Sequence, residues 1–235
     1  MNKKVRKRAK KLLKGRKRST FPAVVTLLFT SAGVFFIRTF LSEGKTLFAL
    51  LVSALLSVLY VLFRICLNYR LQVQMITALH GGESKIRPKE YLKNILLSLR
   101  LFLLKAAELI GFEFLPLLMV ALLFFGISVK GISRSFCIII LIGAAVVAAT
   151  GFVFYVFSVQ KYAQAPFLLA AYPDLSVSEC IMLSKEKWAE KAAELLRFKL
   201  GFLPWLFVCV AIFPLLYVIP YYKQSLTCRF VTREF

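Results

Sequence analysis

Long apolar runs alternate with short charged stretches along almost the whole chain. Five runs, residues 21–37, 46–63, 106–128, 136–160 and 200–222, reach or approach the roughly 18–20 residues a helix needs to cross a bilayer. The pattern predicts an all-α fold: a polytopic transmembrane helical bundle of about five spans, with interfacial or cytoplasmic amphipathic helices. Residues 21–235 form this transmembrane domain. Residues 1–20 precede it as a basic cytoplasmic tail or an interfacial helix.

The boundaries follow from local chemistry. Ser19 or Thr20 caps the first span, and Pro22 fits its first turn. The second span ends at Arg64, and residues 68–94 form a polar, basic connection in which Pro88 opens the next helix. The apolar stretch after Asn94 is too long for one perpendicular span. It divides into an interfacial entry helix, about 95–105, and a span, about 106–128. Gly143, Ala144, Ala145, Ala148, Ala149 and Gly151 give the fourth span small-x-x-x-small spacings, which let helix backbones approach closely. Its helix runs on past Lys161 toward Ala171, with Pro166 as a bend.

A corner follows at Tyr172-Pro173-Asp174-Leu175. Pro173 disfavours helix at Tyr172, so the incoming helix ends there. Asp174 and Ser176 both offer a capping oxygen, but Ser176 has Glu179 three residues on, the spacing of a capping box. A mixed-charge helix over 176–199 is expected on the cytoplasmic surface, with Trp188 turned toward the membrane interface. The last run, 200–222, carries Pro204, Pro214 and Pro220, and is expected to be a kinked fifth crossing. A re-entrant segment is its rival.

Composition sharpens the membrane assignment. Of 235 residues, 60% are hydrophobic, against about 45–50% in a soluble domain. The net charge is +21. Such basicity also fits nucleic-acid binding, but here Lys and Arg concentrate in alternate connections, as the positive-inside rule requires. Nucleic acid is therefore not an expected partner. The orientation that follows places the N-terminus in the cytoplasm and, with five spans, Cys228 outside. Residues 3–18 hold eleven Lys/Arg and no acid. Val5, Ala9, Leu12 and Leu13 make a narrow apolar stripe among them, a pattern suited to an anionic membrane surface or to a free basic tail. Membrane lipids, anionic ones included, are the expected partners, with a membrane protein or a second copy of the chain as the other candidates.

Candidate chemistry is sparse. The five cysteines have no C-x-x-C spacing, so neither a disulfide framework nor a metal site is expected. One His and one Asp cannot build a Ser–His or paired-Asp protease. An enzyme is the weakest class, and no catalytic residue, metal or cofactor is assigned. Lys105, Glu108 and Glu113 lie within the third apolar run and form the candidate intramembrane polar site. Lys105 and Glu108, at i and i+3, are placed to pair. Pro116 removes the donor that would serve the Phe112 carbonyl, close to Glu113. The leading reading is a non-catalytic protein that engages lipids or partner proteins at the cytoplasmic face. The alternative is a small transporter, or transporter subunit, using Glu113 in a membrane cavity.

The corner also carries a resemblance. Tyr162, Pro166-Phe167-Leu168-Leu169, Pro173, Leu175-Ser176, Glu179 and Leu183-Ser184 resemble the C-terminal signature of an uncharacterised bacterial family of integral membrane proteins, domain of unknown function 975. Phe202, Trp205 and Ile219-Pro220-Tyr221 extend the likeness. Ala9-Lys10 and Leu12-Leu13-Lys14-Gly15 look similar at the start. A more distant similarity is to the membrane domain of some glycerophosphodiester phosphodiesterases. The resemblance implies a multi-pass protein of a bacterial plasma membrane and no catalytic residue.

Overall fold

The computed structural model describes residues 47–80, 86–128, 134–204 and 212–231, together with residues 5, 9, 10, 12, 25, 26, 30, 33, 34 and 39. The expected first span therefore lies mostly outside the described residues, as do Trp205, Cys209 and the connections 81–85 and 129–133. The elements are α1 (Leu47–His80), α2 (Pro88–Ser128), α3 (Arg134–Val159), a 3-10 turn (Gln160–Tyr162), α4 (Ala165–Ala171), α5 (Val177–Trp188), α6 (Ala192–Leu200) and α7 (Ile212–Val231). The fold is all-α, as expected. Three helices, α1 to α3, are long and apolar enough to cross a membrane, which points to a multi-pass membrane protein.

α1 and α2 are longer than the spans they contain. At 1.5 Å per residue they measure about 51 Å and 61 Å, against roughly 30 Å of hydrocarbon. The sequence reading ended the second span at Arg64 and put a connection after it. The helix instead continues unbroken to His80, because no Gly or Pro intervenes before Gly81. Its polar half still has an apolar side: Tyr69, Val73 and Ile76 recur at helical spacing and are buried. Likewise the division of residues 95–128 into two helices is overturned. α2 opens at Pro88, where the Glu90 N–H donates to the Arg87 carbonyl at 3.0 Å, and runs as one helix to Ser128. The end of a span is set by the bilayer. The end of a helix is set by breakers and caps, and these differ here by 15 residues or more.

The exposed apolar belt comes from Leu51 to Phe63 of α1, Leu99 to Leu122 of α2 and Phe136 to Phe157 of α3. α2 and α3 pack antiparallel. A Cβ at Gly151 would stand 2.8 Å from the Phe112 carbonyl oxygen. That carbonyl is the one Pro116 deprives of its helical donor, and the glycine lets α3 come down onto it. The small residues of α3 thus serve internal packing.

Polar residues collect at one end of the bundle, around two cores. The first joins Tyr69 and Val73 of α1, Leu97 and Leu101 of α2, Leu168 and Leu169 of α4, and Val177 and Cys180 of α5. The second joins Trp188, Leu195, Phe198 and Phe202 to Leu226, Cys228 and Phe230 of α7, with Phe167 and with Val5 and Ala9 from the start of the chain. Val5 and Ala9 are buried in this second core, while most of residues 1–20 lie outside the described residues. One expectation fails here. Trp188 is 1% exposed. Its ring meets Phe230 edge-on at 5.2 Å, and its indole N–H donates to Gln164 Oε1, so it faces the protein interior and not the membrane interface. The helix expected over 176–199 is also broken, between Trp188 and Ala192.

The last segment does not cross the bundle. Its Phe202 ring lies 5.7 Å from the Tyr221 ring and 5.2 Å from the Tyr222 ring. A single straight helix would separate these positions by roughly 30 Å. Phe202 and Tyr221 therefore lie at the same, polar end. Cys228, expected outside, is fully buried in the same core as Val5 and Ala9.

Candidate functional site

The corner is built as its sequence spacing requires. Ser176 is extended (φ −73°, ψ 158°) and caps α5. The Glu179 N–H donates to Ser176 Oγ at 3.3 Å, and the Ser176 N–H donates to Glu179 Oε2 at 2.7 Å. This reciprocal pair satisfies two helix-end donors. The Ser176 backbone N–H, followed by its hydroxyl, holds the Glu179 carboxyl below the usual carboxylate range. Tyr172 ends the incoming helix at φ −129°, ψ 80°, an extended shape that the following Pro173 favours. Asp174 stays exposed and does not cap. α2 fixes the corner from outside. Lys93 Nζ donates to the Pro173 carbonyl at 2.7 Å, and Arg100 Nη1 donates to Ser178 Oγ at 2.7 Å.

Of the intramembrane trio, Glu108 is fully engaged. Both its oxygens accept: Oε1 from Lys161 at 2.6 Å and Tyr162 at 2.7 Å, Oε2 from Ser158 at 2.8 Å. The expected Lys105–Glu108 pair is replaced by this tie between α2 and the end of α3. The reason is geometric: Lys161 and Tyr162 reach Glu108 across the helix seam, while Lys105 turns into a cavity. Glu113 lies half-buried along the α2–α3 seam, its Oε1 3.5 Å from where a Gly151 Cβ would stand. It lines neither of the two cavities described at the polar end. The structure does not bring Lys105, Glu108 and Glu113 together as one site.

What it does bring together is three lysines. A cavity of about 390 Å³ opens between α1, α2, the 3-10 turn, α6 and α7. Lys105, Lys199 and Lys223 line it, and among the described residues no carboxylate does. Polar neutral groups complete the wall, among them Asn68, Gln72, Asn94 and Ser98. Lys199 Nζ donates to Gln160 Oε1 at 2.6 Å, and Lys223 Nζ donates to Asn68 Oδ1. Each ammonium has three donors, so each keeps donors for a ligand. Burial pushes the Lys199 ammonium down to about 8, and the nearby Lys105 charge acts in the same direction. Burial likewise pushes Lys223 down to about 8, with Arg64 adding to it. Like charges held in a partly desolvated cavity without a counter-carboxylate form a site for an anion.

The sequence reading missed Lys199 and Lys223, although the signal was present. They flank the last apolar run. On one straight helix they would stand about 36 Å apart. Because the segment returns, its two flanks meet at one cavity.

Comparisons of the chain with protein-family models, with curated proteins and with solved structures gave no match.

Proposed function

We propose that this is a non-catalytic membrane protein that engages anionic lipids at the cytoplasmic face of a bacterial plasma membrane. The carrying observation is the three-lysine cavity at the polar end of the bundle, lined without a carboxylate among the described residues. Basic residues flank the membrane on the cytoplasmic side, and that end of the bundle holds Arg64, Arg70, Lys93, Arg100, Lys161, Lys199 and Lys223. The N-terminal residues Val5 and Ala9 are buried in a core at the same end. The topology is four complete crossings, the first being residues 21–37, followed by a re-entrant C-terminal segment. The resemblance of the corner motif to an uncharacterised bacterial family of integral membrane proteins supports the bacterial setting of this reading.

Transport through Glu113 is not retained as a second reading, because Glu113 sits in a helix seam away from both described cavities. The reading is tested by native mass spectrometry of the protein released from nanodiscs containing equal phosphatidylglycerol and phosphatidylcholine. Retention of phosphatidylglycerol in excess is expected. Equal retention of the two lipids would overturn it.

A further inference from the structure

We propose that the cavity between α1, α2, α6 and α7 seats a single phosphoryl group, held by Lys105, Lys199 and Lys223. This names the ligand chemistry of the site on which the functional reading rests.

The charge balance selects the anion. Three lysines on three different helices line one cavity, and no acidic side chain among the described residues lines it. A carboxylate presents its oxygens in one plane, which suits a planar partner such as a guanidinium. A phosphoryl group offers more acceptor oxygens, disposed tetrahedrally and thus able to meet donors from several directions. Lysine binds phosphate as a point charge that needs no planar pairing. The remaining donors suit the same ligand. Ser98 and Tyr222 line the wall with hydroxyls, while Asn94 is already spent on the Ile65 carbonyl at 3.3 Å. Gln160 and Asn68 hold the Lys199 and Lys223 ammonium groups in place before any ligand arrives.

The cavity's position selects the source. Ser98, Leu101 and Lys105 line it from one face of α2. Leu99, Phe102 and Leu103, between them in sequence, are exposed on the apolar belt. A polar cavity bordering a lipid-facing surface fits a headgroup whose acyl chains remain in the bilayer. Its wall is itself mixed, with Ile65, Val159 and Leu226 among the polar groups, as a glycerol backbone would require. The volume falls within the roughly 300–1,000 Å³ of small-ligand sites.

The test uses the full-length protein in nanodiscs with two probes. One is phosphatidylglycerol in competition with phosphatidylcholine, read by native mass spectrometry. The other is inorganic phosphate, read by equilibrium dialysis. The wild type is expected to retain phosphatidylglycerol, and the triple variant Lys105→Gln, Lys199→Gln, Lys223→Gln to retain at least tenfold less. Should the triple variant fail to fold, Lys105→Gln and Lys105→Arg are compared instead, and only the charge-preserving Arg variant should retain the lipid. Saturable binding of inorganic phosphate, lost in the variant and without lipid preference, would support the phosphoryl site and remove the lipid reading. Undiminished phosphatidylglycerol retention in the variants would overturn the site while leaving the lipid reading intact. Binding of neither probe to the wild type would overturn both.

Discussion

Lys199 and Lys223 make the proposed site sensitive to pH in a defined direction. An unfolded lysine titrates near 10.5, and these two are held at about 8 by burial, each with a like charge beside it. Between about 8 and 10.5 the unfolded chain therefore binds more protons than the folded one, so the empty protein gains stability as pH rises through that window. Anion binding runs the other way, because it needs the charged ammonium. The other ionisable groups facing the cavity are Lys105, Tyr69, Tyr162 and Tyr222, with Arg64 toward Lys223. Inorganic phosphate should bind more strongly at pH 7 than at pH 9.5. A flat profile across pH 8 would mean that neither lysine holds the anion. At the corner, Ser176→Ala removes the oxygen that accepts the Glu179 N–H, and loss of such a cap costs about 1 kcal/mol. Hydrogen exchange in residues 177–180 should speed up while α1 to α3 stay protected. Ser176 and Glu179 were legible from spacing alone, since a capping box is a local device. The environment of Trp188 was not. Amphipathic periodicity shows that a ring leaves the polar face, but it is equally satisfied by membrane and by Phe230.

At the level of elements, the seam between α2 and α3 shows the same division. The small residues of α3 announced close packing, and Pro116 announced a carbonyl without its helical donor. Neither could show that they meet. In the structure Gly151 faces the Phe112 carbonyl, with 2.8 Å available where a Cβ would go. The neighbour is backbone, which cannot rotate away, so Gly151→Ala must shift one helix against the other. Overpacking of this kind costs about 1–3 kcal/mol. The variant should show a lower thermal transition in detergent, whereas Ala149→Gly, at an exposed position of the same helix, should lose only the about 1 kcal/mol that glycine costs a helix. The lengths of α1 and α2 were illegible for a different reason. Hydropathy marks where the bilayer stops, and the polar continuations of both helices are stabilised by contacts distant in sequence, such as Tyr69 and Val73 with Leu168 and Val177.

The whole molecule ties topology to the site. Hydropathy alone reads residues 200–222 as one crossing and puts the C-terminus outside. The contacts put it with the N-terminus: Phe202 beside Tyr221 and Tyr222, and Cys228 in one core with Val5 and Ala9. Arg229 seals this return. It is 1% exposed, it lies 4.5 Å over the Phe198 ring, and its Nη2 meets Glu194 Oε1 at 2.9 Å. A guanidinium buried against α6 has no equivalent on the far side of a membrane. On the proposed topology the number of complete crossings is even, and reporters fused before Met1 and after Phe235 should report the same, cytoplasmic side. Cys228 should resist a membrane-impermeant maleimide in intact cells and in inverted vesicles alike, reacting only after denaturation. Reporters on opposite sides would separate Lys223 from Lys199 by the thickness of the membrane. The cavity would then lose one of its three charges, so a single topology measurement bears on the fold and on the proposed phosphoryl site together.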